Sequence, residues 1–191
     1  DLDTSRGLGD VYKRQATTGA ITLSGTTYFT NGTLDFKSNG SGGSYVINNA
    51  SDVTIKTTGV KTVTFGTNDL TIGDAKLTID TDPGDTVANG ADITFGGRIL
   101  GKSGGVAADL ELDADTADVI VLGIGHDGSN DNNEINDVLL TGSDIKTNGV
   151  INTTGNTDDS GQVNITGKLK LVGSTTIDTA ASGNNGPVSI T

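Results

Sequence analysis

The feature that most constrains this chain is a two-residue apolar beat. Short segments each carry two apolar residues two positions apart: Ile21 and Leu23, Leu34 and Phe36, Tyr45 and Ile47, Val53 and Ile55, Val63 and Phe65, Leu70 and Ile72, Leu77 and Ile79, Ile93 and Phe95. The series continues through Leu110 and Leu112, Val119 and Val121, Val138 and Leu140, Val163 and Ile165, Leu169 and Leu171, Val188 and Ile190. Residues two apart on a strand share a face, so each segment predicts a strand with one buried side. The residues between such pairs, Thr54, Thr64, Thr71, Thr78 and Thr94, are expected to face solvent.

What separates the segments decides how they pair. Gly, Asn and Asp fill the gaps, as in Gly66-Thr67-Asn68-Asp69 and Gly73-Asp74-Ala75. The Asn-Gly pairs at 31–32, 39–40, 89–90 and 148–149 would suit two-residue hairpins, but most gaps lack one. Of 191 residues 29 are Gly and 2 are Pro, and among 24 acidic residues only Glu111 and Glu134 are Glu. Good helix formers are scarce, which argues against bundles and nucleotide-binding α/β folds. The expected fold class is all-β: a parallel β-helix, or β-solenoid, whose brief strands turn small corners and stack coil upon coil. A coil of roughly twenty residues would give about eight coils over residues 16–191, spanning roughly 40 Å. The segments Thr81–Ala91, Gly101–Ala108 and Gly125–Asn136 are expected to loop out. No second domain or linker is evident. The sequence lacks Met and stops in mid-strand pattern at Val188-Ser189-Ile190-Thr191, so truncation at both ends is expected.

Residues 5–15, Ser-Arg-Gly-Leu-Gly-Asp-Val-Tyr-Lys-Arg-Gln, resemble the in-frame translation of a transposase adapter used to build DNA sequencing libraries. That resemblance implies a foreign tail over 1–15, with Leu8 and Val11 outside any core.

Chemistry is sparse. A net charge of -12 leaves nothing to neutralise phosphates, so a nucleic-acid partner is not expected. No Cys is present for disulfides or thiolate sites. No apolar run has membrane-spanning length, so this segment is not expected to insert. The one histidine, His126, lies in an Asp-rich stretch without a nucleophile motif. Around it, Asp127, Asp131, Glu134 and Asp137 supply the hard oxygens a calcium ion takes, making a weak calcium candidate. EF-hand spacing fails there, because its glycine would fall at Asn132 and its last glutamate at Val138. Asp113, Asp115 and Asp118 form a second acidic cluster. Asn156-Thr157-Asp158-Asp159 with Gly125-His126-Asp127 resembles, superficially, the motifs of β-helical galacturonan hydrolases, but the order is inverted. No catalytic residue and no cofactor is expected.

The stretches Leu139–Asn156, Gly161–Leu171 and Thr175–Thr179, with Asp92–Ile99 and Ala108–Ala114 in similar style, resemble the repeat regions of filamentous-haemagglutinin-like proteins and autotransporter passengers. The resemblance implies a right-handed parallel β-helix exported to the bacterial surface. It further implies a stalk or adhesive role without catalysis, and a host surface, a glycan or other cell-surface components as partners. The alternatives are a carbohydrate-active β-helix enzyme and a calcium-dependent surface-layer protein.

Overall fold

The computed structural model describes residues 15–17, 21–23, 27–30, 32–39, 44–47, 51–57, 60–82, 89–103, 107–125, 133–154, 161–179 and 186–191. In chain order its strands are β1 (Gln15–Thr17), β2 (Ile21–Leu23), β3 (Thr27–Thr30), β4 (Leu34–Asn39), β5 (Tyr45–Ile47) and β6 (Val53–Thr57). Then come β7 (Val63–Phe65), β8 (Leu70–Ile72), β9 (Leu77–Asp80), β10 (Ile93–Phe95), β11 (Ile99–Leu100) and β12 (Leu110–Asp113). The last are β13 (Asp118–Val121), β14 (Val138–Thr147), β15 (Val150–Asn152), β16 (Val163–Leu171), β17 (Thr176–Asp178) and β18 (Val188–Ile190). β1 begins at Gln15, the last residue of the adapter-like segment; the rest of that segment, with Leu8 and Val11, lies outside the described residues.

The strands form three ladders of parallel pairs. Face A stacks β3, β6, β9, β12, the first half of β14, the first half of β16, and β18. Face B stacks β1, β4, β7, β10, β13 and the second halves of β14 and β16. Face C stacks β2, β5, β8 and β11, passes through single bridges at Ile124, and continues into β15 and β17. The chain visits A, B and C in turn and returns to A, so each strand pairs with its counterparts one coil away. Parallel neighbours cannot be joined by a tight turn, which is why the Asn-Gly at 148–149 makes a corner between faces and no hairpin. The molecule is therefore an all-β parallel β-solenoid.

Each face contributes a column to the core. Face A gives Val53, Leu77, Leu110, Val138 and Val163. Face B gives Leu34, Val63, Ile93, Val119, Ile145 and Leu169. Face C gives Leu70, Ile99, Ile124, Ile151 and Ile177. Most are wholly buried, while Leu34, Leu169 and Ile177 are partly so. On face B the rings of Phe36, Phe65 and Phe95 stack with centroids 4.5 and 4.7 Å apart. Tyr45 meets Phe65 edge-on at 5.5 Å and donates its hydroxyl to the Phe36 carbonyl. Thr54, Thr64, Thr71, Thr78 and Thr94 lie outside the core, half-covered by neighbouring coils.

Three expectations need correction. The coil is longer than roughly twenty residues: counterparts lie 24 residues apart from Ile145 to Leu169 and 33 apart from Leu77 to Leu110. The extra length is spent at corners, where it leaves the ladders intact. Next, the segment 125–136 does not all loop out. Ile135 is fully buried and bridges Thr153, because its side chain joins the core where the polar text around it gave no sign. Finally, Leu171, Val188 and Ile190 are 59%, 47% and 51% exposed. They stand in register with buried residues of the coil before, and among the described residues no further strand pairs on their other side.

Candidate functional site

The corner from face C to face A receives the chemistry-bearing segments. Among the described residues it holds Gly101 and Asp109, then Glu134 and Asp137, then Thr153 and Gln162, in successive coils. His126, Asp127, Asp131 and Asn156–Asp159 lie outside the described residues. Glu134 and Asp137 are described.

Asp137 sits directly before β14, and both its carboxylate oxygens are engaged. Oδ1 accepts the Gln162 backbone N–H at 3.0 Å, and Oδ2 accepts the Gln162 side-chain amide at 2.9 Å. One coil earlier, Asp109 precedes β12. Its Oδ1 accepts from the Asn136 side-chain amide at 2.8 Å and from the Asp137 backbone N–H at 3.3 Å. Gln162 in turn accepts from Asn164 at 3.2 Å. The result is a polar chain running Asp109, Asn136 and Asp137, Gln162, Asn164 across three coils. These carboxylates hold neighbouring coils by hydrogen bonds. At Glu134 the backbone is close-packed: a Cβ placed on Gly101 would lie 2.2 Å from the Glu134 carbonyl oxygen. Among the described residues no group of three or more His, Asp or Glu side chains is placed to hold a metal ion.

The second acidic cluster divides between two jobs. Asp113 Oδ1 accepts the Asp115 N–H at 3.0 Å, a turn that repeats Asp80 accepting from Asp82, at 3.0 Å, one coil before. Asp115 adopts a left-handed backbone, φ 49°, which Asp tolerates better than most residues. Burial pushes the Asp113 carboxyl above the usual carboxylate range, and Asp80, Glu111 and Asp115 push the same way, against the Asp115 N–H. Asp118 instead pairs with Lys146 at 2.5 Å. Lys170 makes the equivalent pair with Asp144 one coil on and holds that carboxyl below its ordinary value. Lys56 with Asp80, Lys76 with Glu111 and Lys102 with Asp74 likewise join adjacent coils, at 3.2, 2.5 and 2.7 Å.

Sequence reasoning missed the inward threonines. Thr81 is fully buried; its hydroxyl donates to the Ala91 carbonyl at 2.8 Å and accepts the Ala91 N–H at 3.0 Å. The Thr57 hydroxyl donates to the Lys61 carbonyl at 3.0 Å. Both satisfy backbone groups where the chain leaves face A. Their signal was positional: each lies two residues beyond an inward apolar pair and so continues the inward alternation.

Comparison with protein-family models, with curated proteins and with solved structures finds no match to this chain.

Proposed function

We propose that this chain is a rigid stalk segment of a large bacterial surface protein, displayed outside the cell, and that it works by structure and binding without catalysis. The observation that supports this reading is the unbroken triple column of apolar residues with inter-coil hydrogen bonds on all three faces. A stack in which each coil contacts only its neighbours, and is bonded to them along its length, resists bending and carries load along its axis. We take the coil to be right-handed, as crossover connections between parallel strands are in nearly all proteins. The textural likeness to filamentous-haemagglutinin-like proteins and autotransporter passengers supports an adhesive role toward a host surface or glycan.

Beads coated with the chain should adhere to host-cell or glycan surfaces more than beads coated with an unrelated acidic solenoid. Equal adhesion overturns the adhesive reading. The chain should release no new sugar ends from a polysaccharide panel. Release that disappears on Asp127→Ala overturns the non-catalytic reading and favours a carbohydrate-active enzyme.

A further inference from the structure

Five aspartates that directly precede a strand or its first inward residue, Asp52, Asp69, Asp92, Asp109 and Asp137, each accept a backbone N–H of the next coil. On face A, Asp52 Oδ1 accepts the Lys76 N–H at 3.2 Å, while Val53 N–H donates to the Lys76 carbonyl at 2.8 Å. On face C, Asp69 Oδ1 accepts the Arg98 N–H at 2.8 Å, while Leu70 N–H donates to the Arg98 carbonyl at 2.8 Å. Asp109 with Leu110 holds Asp137 in the same way, and Asp137 with Val138 holds Gln162. On face B, Asp92 Oδ1 accepts the Asp118 N–H at 3.0 Å. In each case the residue held is the register counterpart of the Asp, one coil later.

We infer that Asp52, Asp69, Asp92, Asp109 and Asp137, each placed immediately before the first inward apolar residue of a strand, are register clamps, each of which seizes one residue of the next coil and so fixes which residues the two coils pair. At Asp52, Asp69, Asp109 and Asp137 the dyad takes that residue by both backbone groups. The apolar residue's N–H takes the carbonyl, and the carboxylate takes the N–H, which would otherwise sit beyond the end of the ladder. The carboxylate thereby does the work of one more carbonyl in the sheet. Shifting the incoming coil by one residue would break both bonds and also turn its inward face outward. One position tests the logic from within. The counterpart of Gln162 is Pro187, which has no N–H to give; Val163 still donates to the Pro187 carbonyl at 3.0 Å, and the residue before Val163 is Gln, not Asp. Where Asp118 and Asp144 hold the same place on face B they bind Lys146 and Lys170, tying coils through side chains instead. The inference concerns how coils are locked and stands whether or not the molecule is an adhesin.

The test is amide hydrogen exchange of Arg98, followed by NMR in the whole chain. Asp69→Ala should speed Arg98 exchange about tenfold or more, while Asp69→Asn, whose Oδ1 still accepts, should stay within about twofold of the native rate. If Asp69→Ala does not fold, the more exposed clamp serves: Asp52→Ala against Asp52→Asn, read at Lys76. Native exchange in the Ala variant, or equal acceleration in Ala and Asn, overturns the inference.

Discussion

Leu112 and Thr78 mark the two extremes of what one side chain contributes here. Leu112 is fully buried within the face A column, whereas Thr78 faces outward and makes a 3.4 Å contact with Glu111. Truncating a buried Leu removes its transfer free energy and leaves a void in a stack that cannot close around it. Leu112→Ala should therefore cost about 2–5 kcal/mol in denaturant unfolding, and Thr78→Ala less than about 0.5 kcal/mol. Similar losses for the two would refute the assignment of inner and outer faces. Asp113 adds a pH dependence of definite sign. Its folded carboxyl titrates above its unfolded one, so the folded state keeps the proton to higher pH, and stability falls as pH rises through that window. Asp113→Asn should raise the melting temperature at neutral pH, since the Asn oxygen can still accept from Asp115. The gain should vanish in acid, where the native carboxyl is itself neutral. Asp144 has the opposite sign: hydrogen bonding to Lys170 lowers it, so its contribution is present above the unfolded pKa and lost as pH falls through the folded one.

At the scale of the element, β14 and β16 run unbroken from face A to face B, where earlier coils use two strands. The bend is made by a register shift between Thr141 and Asp144, with Gly142 and Ser143 of β14 set against Gly167 of β16. Gly167 has φ +130°, and a Cβ there would lie 1.8 Å from the Gly142 carbonyl oxygen. Both the backbone angle and the space exclude a side chain. Gly167→Ala should cost about 2 kcal/mol or more, with amide protection lost first in β16 and β18. Native stability would mean that the corner is built differently. How much of this was legible varied with the kind of signal. The strand β9 and its inward face followed from Leu77 and Ile79 alone, because period-two alternation is a local property of the chain. That Leu77 stands over Leu110 was not legible, because the three intervening corners differ in length from coil to coil and erase the period. The hydrogen bonds of Asp137 to the next coil were not legible for a related reason. An Asp beside a polar loop and an Asp opening a strand look alike until the residue after it, here Val138, is seen to begin an inward column.

The whole molecule has no centre. Its contacts join each coil to the one before and the one after, through the three ladders, the ion pairs between adjacent coils, and the aromatic stack of Phe36, Phe65 and Phe95. Stability in such a stack is a sum of terms between neighbours, and a local defect has no direct route to distant coils. Leu77 lies in β9, which pairs with β6 and β12 on face A; β16 and β17 lie coils away and share no pairing with it. Leu77→Ala should therefore strip amide protection from β6, β9 and β12 while leaving β15, β16 and β17 within about threefold of their native exchange rates. The same independence should broaden the unfolding transition, so that its calorimetric enthalpy exceeds the van't Hoff value. Uniform loss of protection along the chain, with the two enthalpies equal, would mean that the coils unfold as one unit and that nearest-neighbour coupling is strong enough to hide the repeat. The clamps at Asp69, Asp109 and Asp137 are the contacts best placed to supply such coupling, since each ties two coils at a corner where the ladder would otherwise end. Removing them in the Leu77→Ala background should then confine the damage further, and the change in its extent measures how far the clamps carry a disturbance from coil to coil.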